Sequence, residues 1–269
     1  MSKLIENTPF PRTREMLRTD MRELGLKRGM NVLVHSSLSS VGWVNGGAVA
    51  IIQALMDTVT EEGTIIMPAQ SADLSDPAEW LNPPIPWEWW ETVRNTMPAF
   101  EPAITPTYGM GKIAELFRTY PGVLRSDHPN VSFTAWGKRN GEILANHQLE
   151  NGLGEGSPLR KLYDLDAHVL FIGTSYETNT CFHLAEYRSG TREVIQKGTP
   201  IFVDGERKWV EYTDIEYDDT EFDTIGNAFE QQYSVRKGKI GSADSKLFSF
   251  CEAVDYAVEF FKNEAKAKV

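Results

Sequence analysis

His183 and Glu186 stand three residues apart in the stretch from His168 to Arg188, HVLFIGTSYETNTCFHLAEYR. On a helix, residues at i and i+3 share a face, and an imidazole held beside a carboxylate is a plausible general base. The surrounding residues supply the helix and its position. Val169 to Ile172 is a short apolar run closed by Gly173, which reads as a buried strand. A polar turn follows from Thr174 to Thr180, in which Thr178, Asn179 and Thr180 are all residue types that cap helix N-termini. His183 and Glu186 are therefore expected to project from a first helical turn, beyond the carboxyl end of a strand, where open α/β sheets bind ligands. The same pair also fits a surface ion pair or a satisfied core histidine. Cys181 is a second candidate for chemistry, as a thiol nucleophile, but i and i+2 on a helix point about 200° apart, which makes a Cys181–His183 dyad poor.

The elements that would position this pair follow a βαβ logic. Thr13 to Leu24 has helical spacing and stops at Gly25; Met30 to His35 reads as a strand, Ala48 to Val59 as a helix, and Thr64 to Met67 as a second strand. Strand, helix and strand within about forty residues imply a parallel pairing with a right-handed crossover. The Ser/Gly-rich turn after the first strand, Ser36 to Gly42, can bring small residues, hydroxyls and N–H groups to a ligand. It has neither the lysine of a Walker loop nor the GxGxxG dinucleotide pattern. Thr105 to Gly111 is a second turn-rich segment, leading into a helix over Lys112 to Tyr120. Val131 to Gly137 reads as a strand, followed by short helices near 139–146 and 157–163. The segments 200–203 and 208–213 around Asp204-Gly205 suggest a hairpin. A helix is expected near 224–232, then a short strand before Gly238, and a long terminal helix over about 245–263.

Between Ala69 and Pro106 the pattern is irregular, with seven prolines from Pro77 onward and Trp80, Trp87, Trp89 and Trp90. A connection of that length is usually functional or disordered, and its aromatic content argues for an ordered lid. Exposed apolar surface around Trp87–Trp90 would be compatible with a homodimer. The formal charge of −11 disfavours nucleic acid and anionic membranes as partners. Glu211 to Asp223 has seven acidic residues among thirteen and no basic one, either a solvated loop or a site for a cation. Two cysteines without metal-type spacing, no secretory leader and no apolar run near 20 residues lead to the expectation of a cytoplasmic protein. No repeat or linker divides the chain, so one domain over residues 1–269 is expected.

Several segments together resemble the aminoglycoside 3-N-acetyltransferase family: VHSSLSSVGWVNGG, GTIIMPAQS, TPTYGMG, RSDHPNVSFTAWG, FIGTSYETNTCFHLAE and GKIGSADSKLF. They span nearly the whole chain. The resemblance implies an α/β fold of three αβα layers, with a mostly parallel central sheet, a β-hairpin and a long lid loop, unrelated to Gcn5-type acetyltransferases. It implies acetyl-CoA as co-substrate and no metal, with transfer to the 3-amino group of a 2-deoxystreptamine aminoglycoside in a ternary complex, giving antibiotic resistance. It places Ser36, Ser37, Leu38, Ser39, Val41 and Gly42 on the acetyl-CoA site, with Thr105, Thr107, Met110 and Gly111 holding its phosphate and pantetheine portions. It makes His183 the base, with Glu186 supporting it, although Asp214 could also orient the ring. A polycationic acceptor needs carboxylates, so Asp214, Glu216 and Asp73, with Gln70, are the expected acceptor contacts. Backbone N–H groups near Ser36–Ser37 or Gln70–Ser71 are candidate oxyanion donors. The competing expectations are an acetyltransferase for another amine metabolite, a non-catalytic binder of CoA or polycations, and a metal hydrolase.

Overall fold

The computed structural model describes residues 2–267. Among the described residues, nine strands form two sheets: β1 Asn31–Ser36, β2 Thr64–Pro68, β3 Leu124–Arg125, β4 Phe133–Gly137, β5 His168–Ile172, β6 Val194–Val203, β7 Glu206–Ile215, β8 Arg236–Ile240 and β9 Ala243–Ser249. Ten α-helices accompany them: α1 Ser2–Glu6, α2 Arg14–Leu24, α3 Gly47–Val59, α4 Trp90–Thr96, α5 Gly111–Phe117, α6 Asn140–Leu144, α7 Pro158–Asp164, α8 Cys181–Ser189, α9 Phe222–Phe229 and α10 Phe250–Ala267. The main sheet has the order β3-β4-β2-β1-β5-β9-β8, and β6 and β7 form a separate hairpin. Only β2-β1-β5 pair in parallel; β4, β3, β9 and β8 join antiparallel on either side. The sheet is thus mixed, with the expected parallel pairing confined to its centre.

Successive side chains of a strand point to opposite faces, and the three central strands are covered on both. Val32, Val34, Ile65, Met67, Leu170 and Ile172 pack into one core with α2, α3 and α5. Leu33, Ile66, Val169 and Phe171 pack into the other with α6 to α10. That double burial is why these strands read as unbroken apolar runs. It also fixes His35, in phase with Leu33, on the same side of the sheet as α8.

Local signals account for most boundaries. Thr13 caps α2 by accepting from the Met16 N–H, and Gly25 closes it at φ 111°. Asp204 and Gly205, at φ 54° and 80°, make the two-residue turn between β6 and β7. The terminal helix begins at Phe250 rather than near 245. Leu247 and Phe250 have helical spacing, yet Leu247 and Phe248 serve opposite faces of the sheet, paired with Leu170 and Val169 of β5. Tertiary pairing overrides the local pattern there.

The irregular segment after β2 is ordered by contacts to the hairpin. Thr199 Oγ1 donates to the Leu74 carbonyl at 2.8 Å, Arg207 Nε to that of Met97 at 3.0 Å, and the Phe100 N–H to that of Pro200 at 3.1 Å. Arg94 and Asp76 close the segment on itself with a bidentate pair at 2.7 and 3.0 Å. Trp87 and Trp89 remain exposed. Among the described residues, no helix is long and apolar enough to cross a membrane.

Candidate active site

Strand β5 ends at Gly173, whose φ of +69° favours glycine; a Cβ there would fall 2.3 Å from Ser40 Cβ. That close approach lets Ser40 Oγ donate to the Gly173 carbonyl at 3.2 Å, joining the turn after β1 to the turn after β5. The chain then makes a 3-10 turn at Tyr176–Thr178 and enters α8 at Cys181. Thr180 is the N-cap residue but forms no side-chain cap, contrary to the capping expected of Thr178, Asn179 and Thr180. His183 is the third residue of this helix.

His183 Nδ1 lies 2.6 Å from Glu186 Oε2. Glu186 is fully buried, and its other oxygen accepts from Arg192 Nε at 2.7 Å and the Asp218 N–H at 3.1 Å. A buried carboxylate needs such partners, and Arg192 supplies the compensating charge. A carboxylate only accepts, so Nδ1 carries the proton it shares with Glu186, and in the neutral form of the ring Nε2 keeps its lone pair. The ring is fixed between Phe222 and Tyr217, whose centroids lie 4.9 and 5.2 Å away. The orienting carboxylate is thus Glu186. Cys181 is buried in the core, which pushes its thiol pKa up and leaves it inert.

His183 opens on a cleft of roughly 770 Å³ with three walls. The first is the end of β1 and its turn, from His35 through Ser39; the second is the start of α5, Gly109 to Lys112; the third runs through Thr174, Glu177, Thr178 and Thr180, with Asp219 nearby. Of the sequence-derived donor-site residues, Ser36, Ser37, Leu38, Ser39, Met110 and Gly111 line it, as does Gln70. Val41 is buried in the core, and Gly42 packs where a Cβ would meet Ser242 Oγ at 2.9 Å. Thr105 and Thr107 are not on the wall. Thr107 donates its N–H and hydroxyl to Glu115, both at 2.8 Å, and Thr105 Oγ1 accepts from the Glu101 N–H. These four residues shape the turns instead of meeting the cleft.

The acidic residues are distributed differently from the sequence expectation. Asp214 is 4% exposed and accepts from the Tyr187 and Tyr217 hydroxyls at 2.5 and 2.8 Å and from the Gly152 and Ile215 N–H groups. It is a buried acceptor and lies off the cleft wall. Glu216 borders a separate depression beside Arg192, and Asp73 one beside Trp80 and Tyr108. The carboxylates on the cleft wall are Glu177 and Asp219. The Ser37 and Ser71 N–H groups already donate to the Ile172 and Asn130 carbonyls at 2.9 Å. Those two are therefore not available as oxyanion donors.

Sequence reasoning passed over several residues of this site. Arg192 had no motif to mark it, and Glu177 and Asp219 sat inside stretches singled out for other reasons. His35 is the second residue of VHSSLSS, where the apolar run before it marks it only as the end of a strand. It is 7% exposed, lies edge-on to Phe171 at 5.6 Å and lines the cleft, with Nε2 buried and unpartnered. Burial, reinforced by the nearby His183, lowers its pKa to about 3, so the ring is neutral at physiological pH.

Comparison with known proteins places this geometry. A family model described as aminoglycoside 3-N-acetyltransferase matches residues 33–262. A Bacillus subtilis (strain 168) protein named SPbeta prophage-derived aminoglycoside N(3')-acetyltransferase-like protein YokD is 56% identical, over 98% of this chain and 97% of its own. The crystal structure of YokD superposes with a TM-score of 0.99, covering 100% of both chains at 55% identity. A structure described as AAC-IIIb binary with CoASH is 30% identical with a TM-score of 0.83, covering 95% of this chain and 98% of that one. Another, AAC-VIa bound to sisomicin, is 26% identical with a TM-score of 0.86, covering 95% and 99%. On the match of motif order, fold and relatives over nearly its full length, the chain belongs to the aminoglycoside 3-N-acetyltransferase family.

Proposed function

We propose that the protein transfers the acetyl group of acetyl-CoA to an amine of an aminoglycoside, at the 3-amino group of 2-deoxystreptamine, with His183 as general base. The observation that carries this reading is the 2.6 Å contact between His183 and buried Glu186 at the wall of a cleft large enough for a nucleotide-sized co-substrate. Bound acetyl-CoA would supply an activated thioester. The cleft's residues fit such a molecule: hydroxyls and small residues on the β1 turn, Lys112 as a cation for phosphate, and two buried polar atoms without a protein partner, His35 Nε2 and Thr174 Oγ1.

His183 Nε2 accepts the proton released as the amine nitrogen forms its bond to the acetyl carbon and the carbon–sulfur bond breaks. Glu186 holds the ring in the tautomer that leaves Nε2 free and favours the imidazolium that results. Glu177 and Asp219 place negative charge where an ammonium group would enter. The test is to supply acetyl-CoA with sisomicin, and separately with simple amino sugars, and to follow thiol release together with the acceptor's mass. The expected result is thiol release matched by one acetyl group on the aminoglycoside. Thiol release with none of these amines overturns the reading.

A further inference from the structure

Neither Leu4 nor Ile5, the apolar residues of helix α1, belongs to either hydrophobic core. Lys3, Ile5 and Glu6 are exposed, whereas Leu4 is half-buried and lines the cleft on which His183 opens. One hydroxyl holds the helix there: Thr8 Oγ1 donates to the Leu4 carbonyl at 2.6 Å and accepts from the Trp43 N–H at 2.8 Å. A hydroxyl can do both at once, so it ties the end of α1 to the turn after β1. Gly42, at φ +91°, leaves room for it, since a Cβ there would fall 3.0 Å from Thr8 Oγ1. The chain beyond is anchored at the same turn, with the Arg12 N–H on the Trp43 carbonyl at 3.0 Å and the Asn45 N–H on that of Arg12 at 2.9 Å. A helix this short is unstable by itself. It is nevertheless pinned to the β1 turn, and what it turns inward is one apolar side chain, toward the cleft.

We infer that α1 covers the acetyl-CoA end of the cleft and that Leu4 is a donor-binding contact. The inference rests on acetyl-CoA as the donor, and it concerns a helix outside residues 33–262, the span that matches the family. Position favours the donor, because the turn to which Thr8 ties α1 is the one that carries Ser36 to Ser39, with Leu38 on the same cleft wall. Chemistry favours it too. An acceptor covered in ammonium and hydroxyl groups would lose water against a leucine and gain no hydrogen bond in return. Acetyl-CoA carries an apolar stretch, the methyl and methylene groups of its pantetheine arm, which Leu4 can shield from water.

The experiment compares wild type with Leu4→Ala, Leu4→Met and Thr8→Val, the last nearly isosteric but without the hydroxyl. CoASH binding is measured by calorimetry, and kcat, KM for acetyl-CoA and KM for sisomicin by thiol release, each at low and high salt. Thermal melts establish that each variant is folded. Leu4→Ala and Thr8→Val are expected to weaken CoASH binding and raise KM for acetyl-CoA roughly 3- to 10-fold, the scale of a partly buried leucine, at both salt concentrations. With the base untouched, kcat and KM for sisomicin should stay within about twofold of wild type, and Leu4→Met should restore the donor KM. Unchanged CoASH affinity in folded variants overturns the inference. So does a fall in kcat with both KM values unchanged, or a rise confined to the sisomicin KM. If wild type binds CoASH but releases no thiol with any amine, the acetyl-transfer reading fails on its own, while the calorimetry still decides the role of Leu4. If wild type binds no CoASH, the donor assignment fails and the inference with it.

Discussion

In the proposed mechanism, Glu186 acts through the tautomer it imposes on His183. With one oxygen on His183 Nδ1 and the other held by Arg192 and the Asp218 N–H, it cannot turn away from the ring. In Glu186→Gln, an amide N–H can face Nδ1 instead, which moves the ring proton to Nε2 and removes the base. The expected loss in kcat is on the order of 10²- to 10⁴-fold with a smaller change in KM, as for other His–carboxylate dyads. Steady-state kinetics check this, and a near-normal kcat would show that the tautomer is set elsewhere. The His183–Glu186 pair was legible because its spacing is a property of any helix. Arg192 was not, since the loop after α8 brings it back to Glu186 only in the folded chain. Asp214 misled for a related reason: its place in an acidic run suggests exposure, whereas strand alternation turns it inward beneath Tyr187 and Tyr217.

At the scale of elements, the site depends on two turns held in contact. The turn after β1 supplies Ser36 to Ser39, the turn after β5 leads to His183, and Ser40 joins them at the Gly173 carbonyl. Gly173→Ala introduces a Cβ 2.3 Å from Ser40 in a left-handed conformation. A destabilisation of at least about 1–2 kcal/mol is expected from the backbone alone, together with a raised KM for acetyl-CoA as the β1 turn is displaced. A thermal melt and a KM measurement test both parts. Sequence patterns located these turns well because apolar runs buried on both faces end abruptly at Gly and Ser. They failed at β9, where Leu247 and Phe248 obey the sheet despite helical spacing to Phe250. The parallel pairing they implied between β1 and β2 is present, whereas the mostly parallel sheet implied by the family resemblance is mixed, with its outer strands antiparallel.

The molecule as a whole keeps four of its five histidines neutral by burial or partial burial. The pKa of His35 is lowered to about 3 and that of His147 to about 4, while His128 lies well below and His168 below the ordinary value. The His128 and His147 rings lie 4.7 Å apart, tilted by 39°, and His147 contacts Ser126 Oγ at 2.9 Å and the Gly152 carbonyl at 2.6 Å. In the unfolded chain these rings take up a proton near pH 6.5, whereas in the folded chain they remain neutral to lower pH. The unfolded state thus binds more protons in that window. Stability from these groups is complete above about pH 6.5 and falls as pH drops toward about 4. Tm should decline steadily between pH 7 and pH 5, with a shallower slope in His147→Gln, and a flat wild-type profile would contradict this.

The central claim is that one imidazole takes the proton of the attacking amine. Its most direct test is thiol release from acetyl-CoA in the presence of a free acceptor amine that the wild type acetylates, compared between wild type and His183→Ala, with folding verified by the thermal melt. The account predicts a loss of at least about 10²-fold, the scale of a general-base contribution. A folded His183→Ala protein that releases thiol at close to the wild-type rate would contradict it.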